Sequence, residues 1–194
     1  MHWRGKTIVD LARSFLDTNG VTQHATAQVN SPDPATNPFL DREISDLKAA
    51  WLSNLAELNV CSQKGLSERF DGTIGAATVL SPWGGKTRLT PNEAMAAKLP
   101  VKGQTNTCTL MSQGYDPQLC SWSPYHGALY AVIEANAKIA AAGGDIQQVR
   151  MSFQEYFERL NKEPARWGKP LAALLGGLRG QLEFGTAAIG GKDS

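Results

Sequence analysis

Between Ser123 and Gly144 lies a stretch that fits only one kind of place in a folded chain. Ser123 stands where an N-cap belongs, Pro124 occupies the first helical position and Gly143-Gly144 supplies the stop, so one long helix is predicted. At about 100° per residue, positions 128, 129, 132, 133, 135, 136, 139 and 140 present Ala, Leu, Val, Ile, Ala, Asn, Ile and Ala. A single narrow strip, holding Gly127, Glu134 and Lys138, carries the charge. A helix this apolar is held inside a core rather than laid on a surface, so the rest of the chain must cover it from more than one side.

The flanking segments supply candidate covers. Gly5 to Thr18 reads as a short amphipathic helix on Ile8, Leu11, Phe15 and Leu16, with Asn19-Gly20 as its stop. His24 to Val29 alternates weakly like a strand, and Ser31 to Pro38 is a proline-rich loop suited to a linker. Asp41 as N-cap then opens a helix ending near Asn59, its stripe made by Ile44, Leu47, Trp51, Leu52, Leu55 and Leu58. Thr73 to Leu80 and Asn106 to Met111 read as strands flanking a short helix around Glu93 to Lys98. Beyond the long helix, Gln147 to Met151 fits a strand, and Ser152 to Glu155 is a capping box that starts a helix with Phe153, Tyr156, Phe157 and Leu160. Pro170 opens a last helix whose Leu171, Leu174, Leu175, Leu178 and Leu182 are expected to point inward.

Charge and cysteine usage exclude several classes of function. A formal net charge of +1 over 194 residues gives no broad footprint for a nucleic acid or an anionic membrane. No stretch approaches the roughly 20 apolar residues of a membrane span, and Met1 to Thr7 lacks the order of a secretory signal, so the expected compartment is the cytoplasm. Cys61, Cys108 and Cys120 are odd in number and without C-x-x-C spacing, which points to reduced thiols. His2, His24 and His126 are too scattered for a metal pair on one helical turn. No nucleophilic triad is favoured.

A few features carry possible chemistry, each beside a plainer role. Ile189-Gly-Gly-Lys-Asp-Ser194 looks like a strand feeding a glycine turn, where bare amides, a lysine and an acid would meet phosphate and magnesium, or merely form a solvated loop. Pro82-Trp-Gly-Gly-Lys-Thr-Arg88 is a second glycine turn without Walker spacing. Glu134 and Lys138, four apart, make an ion pair or else contact a ligand. His126, in the first helical turn, is either packed or poised to orient a phosphate.

Three ordered phrases go further. Leu58-Asn-Val-Cys-Ser-Gln-Lys-Gly-Leu-Ser-Glu-Arg-Phe-Asp-Gly-Thr-Ile-Gly-Ala76, Trp122-Ser-Pro-Tyr-His-Gly-Ala-Leu-Tyr-Ala-Val-Ile-Glu134, and Ala172-Ala-Leu-Leu-Gly176 continuing to Ile189-Gly-Gly-Lys-Asp-Ser194 together resemble formylglycinamide ribonucleotide amidotransferase (phosphoribosylformylglycinamidine synthase) in its long single-chain form. The resemblance is to the first domain of the second synthetase half. It implies an α+β fold like the N-terminal domain of aminoimidazole ribonucleotide synthetase, a mixed or antiparallel sheet covered on one face by helices. Residues 1–38 would be a connector and residues 39–194 the domain, truncated at its C-terminus. A related aminoimidazole ribonucleotide or selenophosphate synthetase domain is the neighbouring alternative.

In that family ATP phosphorylates the amide oxygen of formylglycinamide ribonucleotide and ammonia from glutamine displaces it, so the resemblance implies ATP or ADP with Mg²⁺ as cofactors. Glu134 matches the family's metal-holding acid, while a second acid upstream falls near Gly114 and an asparagine falls at Lys138. Gly191, Lys192 and Asp193 match the phrase whose neighbourhood faces the nucleotide. The implied partners are the remaining domains of the parent enzyme, above all the first synthetase half, or a second copy of this segment. By itself the segment would be a structural or nucleotide-binding half without complete activity.

Overall fold

The computed structural model describes residues 1–18, 22, 24–40, 43–70 (for Thr18 and Phe70, the backbone) and 77–194. The first element is a hairpin, not a helix: β1 (His2–Trp3) pairs antiparallel with β2 (Lys6–Thr7). Arg4 and Gly5 both take positive φ, 47° and 75°, the combination a two-residue hairpin turn requires. The helix expected from Gly5 is therefore confined to α1 (Arg13–Thr18). Its predicted stop, Asn19-Gly20, lies outside the described residues.

The expected strand at His24 to Val29 does not form. A strand needs a neighbour for its ladder, and here Gln28 donates one backbone bond, 2.8 Å, to the carbonyl of Pro164. The proline loop holds a single 3₁₀ turn at Pro34–Thr36, capped by Asp33. Asp41 lies outside the described residues; the helix that follows is α2 (Leu47–Ala56), shorter than predicted, with Asp46 as its N-cap. The α2 stripe of Leu47, Trp51, Leu52 and Leu55 faces outward, and no residue of the helix is buried.

After α3 (Lys64–Phe70) the chain builds a three-stranded antiparallel sheet. Its first strand is β3 (Thr78–Leu80); of the strand predicted from Thr73, residues 73–76 lie outside the described ones. The glycine turn at Pro82 to Arg88 sits in a small hairpin, β4 (Trp83–Gly84) with β5 (Thr90–Pro91). The helix expected around Glu93 to Lys98 is instead β6 (Ala94–Lys98), the central strand. One helical turn is costly to nucleate, whereas β6 pairs with β7 (Cys108–Ser112) over five consecutive residues, from Ala94↔Ser112 to Lys98↔Cys108.

Asp116 caps α4 (Pro117–Trp122), and Ser123 ends that helix while capping α5 (Pro124–Ala141). This is the long apolar helix, formed where predicted. It packs against α4, β7 and the last helix, and Gly127, Val132, Asn136 and Ile139 are buried.

The capping box at Ser152 starts no helix. Residues 150–155 form β8 (Arg150–Glu155), with Met151, Phe153 and Glu155 half-buried and their neighbours exposed, the two-residue period of a strand. The final helix begins earlier than predicted: α6 (Pro164–Phe184) takes Pro170 into its interior and ends at Gly185, whose φ of 66° suits a glycine C-cap.

The orientation of α6 reverses the expectation. Leu171, Leu174, Leu175, Leu178 and Leu182 are 39% to 71% exposed, while Gly168, Ala172, Gly176, Gly177 and Gly180 are buried. The row Gly168, Ala172, Gly176, Gly180 has the four-residue spacing of a packing ridge. A Cβ on Gly176 would stand 2.0 Å from the Tyr125 carbonyl oxygen, and one on Gly180 would be 2.8 Å from Val132. The two helices thus meet nearly backbone to backbone, which leucines on that face would prevent. Finally β9 (Ala187–Asp193) pairs in parallel with β8, so Gly190 and Gly191 belong to a strand and not to the predicted glycine turn. A Cβ on Gly191 would lie 2.1 Å from the Phe153 carbonyl oxygen.

Candidate functional site

Glu134 lies on α5, and both of its carboxylate oxygens are engaged. Oε1 meets the Lys138 ammonium at 2.6 Å, one helical turn on, while Oε2 accepts the backbone N–H of Tyr115 at 2.9 Å. Lys138 also reaches the Glu93 carboxylate, just before β6, at 2.9 Å. The i,i+4 pair anticipated from sequence is present, and a second acid from the sheet extends it across helix and strand. Glu93 and Tyr115 were missed because neither carries a local signal; the bond from Tyr115 spans 19 residues.

Partial burial draws the Lys138 ammonium toward its neutral form, but the bonds and charges of Glu134 and Glu93 outweigh it, and its pKa rises above that of ordinary lysine. A raised folded-state pKa makes this contribution to stability complete below the unfolded lysine value of about 10.4 and lost as pH climbs through the higher folded value. In urea titrations, the stability advantage of the native chain over Lys138→Met should therefore be constant from about pH 7 to 10 and shrink above. A gap that changes below pH 9 would contradict the assignment.

Gly114, where the resemblance put a second acid, has no space for a side chain: a Cβ there would lie 2.0 Å from the Ala131 carbonyl oxygen of α5. The loop backbone rests directly on the helix. His126 is packed, its Nδ1 2.8 Å from Ser123 Oγ and its ring tilted 34° to that of Trp122 at 5.6 Å between centroids. Asn136 is buried, its Nδ2 donating to the Val132 carbonyl and its Oδ1 without a partner among the described residues.

Gly191, Lys192 and Asp193 lie apart from this cluster. Gly191 and Lys192 line an open depression of about 580 Å³ over β8 and β9, with Ser152, Phe153 and Ile189. Glu134 borders a different cleft, described below. Asp193 stands opposite Glu155 in the strand register, and Lys192 Nζ bonds Ser194 Oγ. Burial, and then the Asp193 charge, push the Glu155 carboxyl above the usual carboxylate range. Among the described residues no three His, Cys, Asp or Glu side chains are grouped so as to hold a metal ion, and Cys61, Cys108 and Cys120 are free thiols. No helix among them is long and apolar enough to cross a membrane.

Comparison of the sequence with curated proteins finds similar chains among synthases. Over 153 residues the chain is 29% identical to the phosphoribosylformylglycinamidine synthase subunit PurL of Anaeromyxobacter dehalogenans, and over 145 residues 26% identical to that of Picrophilus torridus. The same subunit of Thermoplasma acidophilum is 25% identical over 144 residues. These matches cover 74% to 75% of this chain, and the chain spans about a fifth of the length of the curated relatives, 18% to 19%. The resemblance carried by the three phrases is thus borne out as similarity to this synthase over about three quarters of the chain. No family model matches it.

Proposed function

We propose that this chain is a structural half-domain of a phosphoribosylformylglycinamidine synthase polypeptide, acting in the cytoplasm as a scaffold for the parts that bind nucleotide and carry out the chemistry. In this reading it has the aminoimidazole ribonucleotide synthetase-like fold and corresponds to the first domain of the second synthetase half. The observation that carries it is the state of Glu134: a lysine ammonium bonds one of its carboxylate oxygens and a backbone N–H takes the other. Gly114, tight against α5, supplies no second carboxylate. A magnesium ion needs oxygen ligands, several of them waters, in near-octahedral array, and this arrangement does not fit one. The ATP-dependent step of the parent reaction then belongs to another part of the polypeptide.

A second reading, in which the segment still binds ADP, is favoured by Gly191 and Lys192 lining one depression. Isothermal titration of the chain with ADP, with and without magnesium, separates the two. The scaffold reading expects no magnesium-dependent heat, and the same result for Glu134→Gln. Saturable magnesium-dependent binding that disappears in Glu134→Gln would overturn it.

A further inference from the structure

The cleft beside Glu134 is a site of a different character. It encloses about 620 Å³ and is walled by Phe39, Trp122, His126 and Tyr130, with Asp116 and Glu134 at its edge. His126, Tyr130 and Glu134 follow one another at four-residue spacing, so they share a face of α5. Two of its rings, Trp122 and His126, are held by the chain itself. The Trp122 indole Nε1–H donates to the Asp33 carbonyl at 2.9 Å, and the His126 ring, tilted against it, is tied to Ser123. Phe39 and Tyr130, by contrast, are more than half exposed, large rings left in water on the rim.

Charge decides what such a cleft selects. Among its described lining residues none is lysine or arginine, while two are carboxylates. Lys138 neutralises only one of Glu93 and Glu134, which leaves that cluster one net negative charge, and Asp116 adds another. Ring faces carry negative potential and attract a cation held within about 6 Å of the centroid. The carboxylates nearby are committed within the chain, Asp116 Oδ1 to the N-cap of α4 and both Glu134 oxygens to Lys138 and the Tyr115 amide, so a hard metal ion finds few free oxygen ligands.

We propose that this cleft binds a compact organic cation, an alkylammonium head group seated against its aromatic rings, Trp122 and Tyr130 among them, with Asp116 and Glu134 supplying the countercharge. The proposal does not rest on the scaffold reading, since the cleft is defined by its own lining residues.

The test sets choline against 3,3-dimethylbutanol, which has nearly the same shape and no charge. Each is titrated into the ¹⁵N-labelled full chain while the Trp122 indole N–H resonance is followed, assigned through Trp122→Phe. Choline is expected to shift it saturably and the alcohol not. Tyr130→Ala should weaken choline binding about three- to fivefold, as loss of one solvent-exposed cation–ring contact does. Asp116→Asn keeps an N-cap on α4, because asparagine caps as well as aspartate, and should weaken binding several-fold with an unchanged spectrum elsewhere. Equal responses to both compounds, no saturable response to choline, or choline binding indifferent to both substitutions would each overturn the proposal.

Discussion

Replacing Gly176 with alanine should lower the unfolding free energy by roughly 2 kcal/mol, whereas the same change at Gly177 should leave it unchanged or raise it by up to about 1 kcal/mol. Both glycines are buried in mid-helix, and at both positions alanine gains helix propensity by about 1 kcal/mol. The surroundings separate them. At Gly176 the new methyl would sit 2.0 Å from the Tyr125 carbonyl oxygen and 2.8 Å from its carbon, so α5 or α6 must shift by more than an ångström. At Gly177 the nearest atoms belong to the Phe153 ring at 3.5 Å, an ordinary contact that fills space. Forcing volume into a close-packed contact costs about 1 to 3 kcal/mol, more where backbone opposes it. Urea denaturation of both variants, with slopes compared to ensure a common transition, measures the difference. Equal midpoints would show that α5 and α6 do not cross where the glycine row places them.

That row explains why some of this fold was readable from sequence and some was not. The long helix was, because Ser123, Pro124 and the Gly143-Gly144 stop act locally and its apolar run needs no partner to be recognised. The facing of α6 was not. Counting apolar residues turns Leu171 to Leu182 inward, and only knowledge that α5 presents the bare carbonyl of Tyr125 reveals that small residues must take that side.

The strands β6 and β8 failed for a related reason. Ala94–Lys98 and Ser152–Glu155 have plausible helical signals, and what overrides them is pairing with β7 and β9, partners that no short window contains. The site divides in the same way. Glu134 and Lys138 are legible as an i,i+4 pair, while Glu93 and the Tyr115 amide, which turn that pair into a lock, arrive from the sheet and the loop after it. The Asp116-Pro117 start of α4 was readable in principle, since an N-cap followed by proline is a helix signal, but the six-residue helix was too short to show a stripe.

If the leucine face of α6 is a seat for the rest of a larger polypeptide, the isolated chain should cover it with a second copy of itself, and Leu174→Gln/Leu178→Gln/Leu182→Gln should weaken that association by about 100-fold or more. These three side chains are 61%, 49% and 71% exposed. Burying the remainder of each is worth about 1 kcal/mol at the usual area coefficient, and three together correspond to roughly two powers of ten in the dissociation constant. Ile189 on β9, an element that touches α6, is 80% exposed as well. Glutamine retains a high helix propensity, so the triple variant should unfold at the same urea midpoint as the native chain when both are monomeric. Sedimentation velocity over a wide concentration range makes the comparison. A native chain that stays monomeric throughout, or a triple variant that associates as strongly, would mean that this face is tolerated by water and seats nothing. A midpoint that falls sharply in the triple variant would mean that the leucines, not the glycines, face the core, and the crossing of α5 and α6 inferred from Gly176 would fail with it.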